Sequence, residues 1–336
     1  MNYVTLGKTG LKASVLSFGG IPIQRADAAN TMSVVDKLEE YGINYIDTAR
    51  GYTVSEEYLG AALEGRRDKF ILATKSMSRD KASMAKDVET SLKNLRTDHI
   101  DLYQLHNLLE KDIDTVFGPD GAYEALAEAR AAGKVGHIGV TCHSADAMKI
   151  LVERYSDKLE TVMFPFNIVE DQGKDILLLA REKGMGTIAM KPLAGGNLED
   201  WNLALRYIAA SGVMDIAIPG MGSPEEVERN AAVDLTAPLT QEELDRCAAI
   251  RKELGTQFCR RCGYCAPCPN GIDIPQNFLL ANYARKYGLA GWAQERYKAM
   301  PYHAGSCVMC GACEKRCPYN LPIRDMLEDV AKVFGY

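Results

Sequence analysis

Residues 70–106 read FILATKSMSRDKASMAKDVETSLKNLRTDHIDLYQLH. A short apolar run, Phe70–Thr74, gives way to Ser83–Leu95, where Met84, Val88, Leu92 and Leu95 recur at three- and four-residue intervals, and then to a second run, Ile100–His106. A run buried on both faces, one amphipathic helix and another such run is the pattern of two parallel strands joined by a helical crossover. The unit repeats through the first 250 residues. Its strands are Val15–Phe18, Asn44–Ile46, Phe70–Thr74, Ile100–His106, His137–Thr141, Thr161–Phe164, Gly186–Met190 and Asp215–Ile218, and the helical stretches include Asn30–Glu40, Ser83–Leu95, Tyr123–Ala132 and Leu203–Ala210. Eight such units with right-handed crossovers predict an α/β fold closed as a (β/α)8 TIM barrel. An open doubly wound sheet is the alternative. Against it, no complete G-x-G-x-x-G follows the first strand, and Gly220-Met221-Gly222 is only a late fragment of that pattern. The opening GKTG lacks the upstream glycine of a phosphate loop and reads as the turn of a small hairpin.

The last quarter of the chain carries eight of its ten cysteines in two runs, Cys259-x2-Cys262-x2-Cys265-x2-Cys268-Pro269 and Cys307-x2-Cys310-x2-Cys313-x3-Cys317-Pro318. Three thiolates at two-residue spacing can wrap one corner of a cubic [4Fe-4S] core, with a fourth lying beyond the turn before proline. The reading is two [4Fe-4S] clusters, with a single cluster or zinc as weaker alternatives. Zinc pairs normally lie further apart, and a disulfide scaffold would be short and preceded by an apolar export segment, whereas this chain opens MNYVTLGKTG. The first run has only Ala266 and Pro267 before its last cysteine, where three residues are usual. Cys142 and Cys247 stand alone and read as buried, inert thiols.

At 336 residues, 47% hydrophobic and 25% charged, the chain has the composition of an ordinary globular protein with two domains. The segment TAPLTQEELDRCAAIRKELG, from Thr236, reads as a capped helix leading to the first cysteine run. The barrel is therefore assigned to residues 1–250. Residues 251–336 form a small α-helical iron–sulfur domain, with helices over Pro275–Tyr287 and Trp292–Ala299. No apolar stretch approaches the roughly 18 residues that a membrane span requires. With oxygen-sensitive ligands, this points to a reducing cytoplasm. The net charge of −6 is uneven: residues 251–336 hold 12 Lys and Arg against 7 Asp and Glu, and residues 1–250 hold 27 against 38. Two oxidised clusters at about −2 each nearly cancel the basic excess of the tail, so it does not argue for nucleic acid.

In an eight-stranded barrel, chemistry sits where the strands end. The second strand runs into Asp47-Thr48-Ala49-Arg50-Gly51-Tyr52, the third ends in Lys75 and the fourth in His106. A phenol with a pKa near 10 is a poor proton donor at neutral pH, and a neighbouring ammonium lowers that pKa by favouring phenolate. Lys75 supplies such a charge, Asp47 can pair with Lys75, and His106 can hydrogen-bond a substrate carbonyl.

The chain resembles the aldo-keto reductases over residues 3 to about 235. The likeness rests on LGKTGLKAS and LSFGG, YIDTARGYTVSEEYLGAAL, FILATK, DLYQLH, GKVGHIGVT, KPLAGG and IPGMGSPEEVERN, in that order. The resemblance implies reduction of an aldehyde or ketone, or oxidation of the alcohol, with Tyr52 as general acid, Lys75 and Asp47 as its modulators and His106 orienting the carbonyl. It implies a nicotinamide in extended form across the barrel top. Thr141, Cys142 and Met163 stand where the family's Ser, Asn and Gln hold the carboxamide. Lys191, Pro192, Leu193 and Gly195 come from KPLAGG, and Gly220, Gly222, Ser223, Glu226 and Asn230 from the last motif. Sulfur is a weak hydrogen-bond partner, so Cys142 and Met163 cannot replace two amides. Ser223-Pro224-Glu225-Glu226 reads as a capping box whose acidic first turn repels a 2′-phosphate, favouring NADH over NADPH.

The tail resembles the α-helical two-cluster ferredoxin modules of larger oxidoreductases, and a subset of aldo-keto reductases carries a similar one. That resemblance implies Cys259, Cys262, Cys265 and Cys317 on one cluster, and Cys307, Cys310, Cys313 and Cys268 on the other. Three functions follow. In the first, an NAD(H)-linked reductase exchanges electrons with a partner through its clusters. In the second, the clusters take electrons from ferredoxin and replace the nicotinamide. In the third, they are structural or redox-sensing.

Overall fold

A computed structural model describes residues 1–255, 257–286 and 290–335. Ten strands are present among them: β1 (Tyr3–Thr5), β2 (Lys12–Ser14), β3 (Phe18–Gly19), β4 (Tyr45–Asp47), β5 (Ile71–Ser76), β6 (Ile100–Leu105), β7 (Val135–Thr141), β8 (Thr161–Pro165), β9 (Gly186–Met190) and β10 (Ile216–Ile218). β3 to β10 pair in parallel and in sequence order as one eight-stranded sheet. Parallel bridges Leu16–Ala217 and Gly19–Gly220 join its first and last strands. Each of the eight sequence-derived strands has its counterpart, offset by up to three residues at either end. The largest offset is in the first, because Val15–Ser17 are held by single bonds to the β10 segment, such as Ser17 N to Ala217 O at 2.8 Å, rather than by a continuous ladder. Asn44 and Asp215 lie one residue before their strands, with backbone bonds to Ile71 N (2.7 Å) and Thr187 O (3.0 Å) and side chains that accept from Ser14 N (2.8 Å) and Thr187 N (2.9 Å) respectively.

Crossover helices begin where short polar side chains cap them. Asp27 accepts from Asn30 N, Asp80 from Ser83 N, Ser144 from Ala147 N and Asp200 from Leu203 N, each satisfying a donor that the first helical turn leaves free. The strand period of two then sorts the core into layers. Tyr45, Ala73, Leu102, Met163, Ile188 and Ile216 point inward and fill the barrel, while Ile46, Leu72, Tyr103, Val140, Phe164 and Ala217 pack outward against the helices. The β1–β2 hairpin closes the end where the strands begin. Its turn passes through Gly7 at φ +50°, where an added Cβ would lie 2.1 Å from the Gly186 amide nitrogen, and Leu6 is fully buried beneath it. The GKTG turn is thus a floor, which leaves the carboxyl ends of the strands as the face available for chemistry.

The chain divides into two compact units, residues 1–194 with 198–253, and Gly195–Asn197 with residues 254–336. The second unit contains helices Ile274–Lys286, Ala290–Ala299, Ala312–Arg316 and Ile323–Phe334. They enclose a small core of Phe278, Leu280, Tyr297, Ile323, Leu327, Val330 and Phe334, which includes the buried Cys265 and Cys313 and against which Cys259, Cys268, Cys307 and Cys317 pack. Tyr287, the sequence-derived end of the first of these helices, lies outside the described residues. No helix among the described residues is long and apolar enough to cross a membrane.

Candidate active site and cysteine runs

The alternation that fills the barrel also selects what reaches its open rim. Asp47 shares the inward parity of Tyr45, Lys75 that of Ala73, and Gln104 that of Leu102. Lys75 is 2% exposed. Its Nζ donates to Asp47 Oδ2 in a short ion pair and to the Thr48 carbonyl at 2.8 Å. Gln104, beside Lys75 in register, donates to Asp47 Oδ1 at 3.1 Å. Burial drives the Asp47 carboxyl up and the Lys75 ammonium down, and each charge opposes the shift of the other. Tyr52 sits half-buried on the loop after β4, with Lys75 Nζ 4.8 Å from its ring centroid. Its ring meets His106 edge-on, at 6.1 Å and 86°. His106 is 3% exposed; burial takes its imidazole well below the ordinary value, and the charges of Lys75, Arg79 and Lys191 push the same way. The ring is therefore neutral at physiological pH.

Two residues that the sequence reading did not single out hold this arrangement. Arg79 donates to the His106 carbonyl at 3.1 Å and the Asn107 carbonyl at 2.9 Å, with Asp112 on its Nε at 3.1 Å. Glu56 is 1% exposed and accepts from Thr74 Oγ1 and Ser91 Oγ, both at 2.8 Å, and from Arg50 at 2.7 Å. Arg50 N in turn donates to the Lys75 carbonyl, so Glu56 ties the Tyr52 loop to β5 and to helix Lys81–Asn94. A signal was present: Glu56 shares the buried face of helix Ser55–Ala62 with Leu59 and Gly60 at i+3 and i+4, whereas Glu57 is exposed.

The residues assigned to the nicotinamide separate. Thr141 ends β7, and its Oγ1 accepts from Asn107 N at 2.8 Å. Cys142, the next residue, has the opposite parity; it is fully buried in the outer core, donates to the Ser144 carbonyl at 3.4 Å, and burial pushes its thiol up. Met163 belongs to the barrel filling. Neither offers an amide. Lys191 has φ +56°, with Nζ 3.4 Å from His143 Nδ1; Pro192 is buried and Leu193 half-buried. Gly195 falls in the second unit, where a Cβ would lie 2.4 Å from the Arg260 carbonyl oxygen. Gly220 packs on Pro22, its Cβ position 3.0 Å from that ring. Ser223 caps helix Pro224–Ala231 as expected, but the Glu226 carboxylate binds Gly222 N at 2.6 Å, one residue earlier than a capping box requires. With Ser223 extended at φ −144°, the N–H lying over the first turn is that of Gly222. Asn230 is 1% exposed, and among the described residues neither its Oδ1 nor its Nδ2 has a partner. A buried amide with both edges open suits the donor and acceptor edge of an adenine.

In the second unit the Cys265 thiol feels the charges of Cys259, Cys262 and Cys317, and Cys259 those of Cys262 and Cys317. Burial pushes Cys259 to about 11 and Cys265 to about 12 as free thiols. Cys313 feels Cys307, and burial raises it too. Asn270, two residues past Cys268, donates to the Ser306 carbonyl, and Arg316 donates to the Pro267 carbonyl at 2.7 Å. Cys317 thus gathers with the first run, and the chain around Cys268 is tied to the start of the second. Cys310 is exposed. Cys259, Cys262, Cys265 and Cys317 interact as one group and Cys313 with Cys307, and eight thiols are the donor number that two cubic clusters would require. Among the described residues no three His, Cys, Asp or Glu side chains are drawn together closely enough for a single ion.

Residues 15–203 match the model of the aldo/keto reductase family, and residues 258–322 that of a 4Fe-4S dicluster domain. An uncharacterized oxidoreductase of Bacillus subtilis, YqkF, is 28% identical over 256 residues, which cover 71% of this chain and 80% of that protein. L-galactose dehydrogenase of Arabidopsis thaliana is 26% identical over 300 residues, covering 73% of this chain and 92% of its own. Among solved structures, aldo-keto reductase AKR11C1 from Bacillus halodurans in its holo form aligns with a TM-score of 0.66 and 28% identity, over 74% of this chain and 96% of its own.

Proposed function

Because the chain belongs to the aldo/keto reductase family of oxidoreductases and carries a 4Fe-4S dicluster domain, we propose that its barrel reduces a small aldehyde or ketone at Tyr52, with two clusters passing single electrons to or from a partner. The observation that carries this reading is the buried Lys75, clamped by Asp47 and the Thr48 carbonyl with its ammonium against the Tyr52 ring. A ground-state ammonium there lowers the cost of forming tyrosinate, so the phenol can release its proton as negative charge develops on the substrate oxygen. His106, neutral and adjacent to the same ring, donates a hydrogen bond to that oxygen and fixes which face of the carbonyl is presented. A bound nicotinamide would supply the hydride. The carbonyl carbon then holds the hydride and its oxygen the Tyr52 proton; the alcohol leaves, and solvent returns a proton to the tyrosinate.

Asn230, Gly220, Gly222 and Ser223 would hold the adenosine half of the dinucleotide, and Lys191 would offer its phosphates a positive charge. The Glu226 carboxylate on Gly222 N already fills the anion position at that helix start, which supports NADH over NADPH. Cys259, Cys262, Cys265 and Cys317 would hold one cluster, and Cys268, Cys307, Cys310 and Cys313 the other. Such ligands call for a reducing compartment such as the cytoplasm. A second reading, in which a ferredoxin supplies electrons and the clusters stand in for the nicotinamide, draws support from Cys142 and Met163, both turned into packed core.

Anaerobically purified holoprotein titrated with each nucleotide separates the two. Binding of NADH and loss of carbonyl reduction in an iron-replete Tyr52→Phe variant bear out the first. Failure of both nucleotides to bind, together with reoxidation of dithionite-reduced clusters by the carbonyl, establishes the second in its place.

A further inference from the structure

Within the second unit one arginine is buried among the cysteines. Arg260 is 5% exposed and adjoins Cys259. Its guanidinium carbon stands 3.8 Å from the ring centroid of Phe258 and 4.3 Å from that of Tyr319, and Nη1 donates to the Phe258 carbonyl at 2.6 Å. Tyr319 is two residues beyond Cys317. Arg260 is therefore packed between the two chain segments that bring Cys259 and Cys317 together. Stacking on two rings covers the faces of the guanidinium, which stays charged at any accessible pH. Out of water, that charge is poorly screened. The arginine beside the second run differs: Arg324, on the Met309 carbonyl at 3.5 Å, is partly exposed and paired with Glu314 at 2.8 Å, so solvent and a carboxylate both screen it, and Val308, Met309 and Cys310 are exposed.

We propose that Arg260 sets the reduction potential of the cluster held by Cys259, Cys262, Cys265 and Cys317, keeping it above the value the same ligands would give without this cation. The inference rests on the reading of the eight cysteines as ligands of two clusters. An oxidised cubic core with four thiolates carries about −2, and one electron from a low-potential reductant takes it to about −3 with no bond made or broken. A fixed positive charge nearby stabilises the more negative state more than the less negative one, so the electron is accepted more readily.

The test is a potentiometric titration with dithionite, followed by electron paramagnetic resonance, on the anaerobic full-length holoprotein and its Arg260→Met and Arg260→Lys variants. In Arg260→Met, with iron content unchanged, one cluster shifts to lower potential, so that at its original midpoint the reduced-to-oxidised ratio falls about tenfold. That is the size expected of one charge about 12 Å away at an effective dielectric of about 20. The other cluster stays where it was, and Arg260→Lys stays close to wild type. Unchanged midpoints in an iron-replete Arg260→Met overturn the proposal. Should that variant lose iron, Arg260→Gln, which keeps a donor for the Phe258 carbonyl, repeats the measurement; loss of iron in both makes Arg260 structural and also overturns it. A wild-type chain that binds no iron after anaerobic reconstitution removes the underlying reading instead.

Discussion

Replacing Asp47 with Asn removes one charge of a pair that has almost no contact with water. Lys75 and Asp47 are both about 2% exposed, so the countercharge, not solvent, keeps the ammonium charged. After the change Lys75 keeps its bond to the Thr48 carbonyl, worth about 1 kcal/mol, and loses the attraction that opposed its desolvation. Breaking a buried pair from one side costs about 3–5 kcal/mol, and with one bond retained the lower end, about 3 kcal/mol, is expected. Lys75→Met strands the Asp47 carboxylate in the same way and has a similar cost. Asp47→Asn with Lys75→Met together should cost less than either alone: the amide oxygen still accepts from Gln104, methionine fills the space of the lysine stem, and no buried charge is left. The assay is urea unfolding of the three variants by circular dichroism, under anaerobic conditions with iron retained. All three should also lose carbonyl reduction, since the Tyr52 phenol has lost its neighbouring charge. A double variant as destabilised as the two single costs combined would refute the reasoning, because it would mean that the two side chains contribute independently.

His106 is held neutral below its ordinary range, so the unfolded chain takes up a proton at about pH 6.5 that the folded chain refuses. Its share of stability is complete above that pH and falls away as pH drops toward the depressed folded value, at up to about 1.4 kcal/mol per pH unit; His106→Gln, compared by urea unfolding from pH 8 to pH 5, should show a correspondingly flatter dependence. Glu226→Gln keeps an acceptor for Gly222 N and removes the charge, so NADPH affinity should rise about tenfold relative to NADH in nucleotide-fluorescence titration, and an unchanged ratio would count against the anion argument. Glu56→Gln leaves the partly exposed Arg50 without its carboxylate and should cost about 2 kcal/mol in thermal or urea unfolding, lowering kcat more than it raises KM because the Tyr52 loop loses its tether.

The barrel was legible because its signals are local. A strand buried on both faces and a helix with a three- to four-residue apolar repeat can each be recognised in a dozen residues, and the repeat of Phe70–His106 states the crossover directly. The cysteine runs were legible for the same reason, since ligand spacing is a property of neighbouring residues. So were the four polar residues at strand ends, once the strands were known. Strand ends were less so: Asn44 and Asp215 look like strand by composition and stand just before β4 and β10, their backbones still bonded to the neighbouring strand and their side chains to other backbone amides.

What the tertiary structure decided is which side of each wall a residue faces and which distant residues meet. Cys142 and Thr141 are adjacent, yet the pleat sends Thr141 toward the rim and Cys142 into the helical layer. Glu56 and Glu57 look alike in the chain, and only packing on helix Lys81–Asn94 makes one of them a buried acceptor. Glu226 could be assigned to a capping box, but the extended backbone at Ser223 chose Gly222 as its partner. The chain by itself determined the element types, the two-part organisation that the cysteines announce, and the identity of the polar groups at the rim. Closure of the barrel brought Asp47, Lys75 and Gln104 into one buried layer, and packing of the second unit set Arg260 between Phe258 and Tyr319. Periodicity is written within one turn or one pleat, whereas an ion pair 28 residues apart depends on the register of strands that pair only after the whole wall has formed.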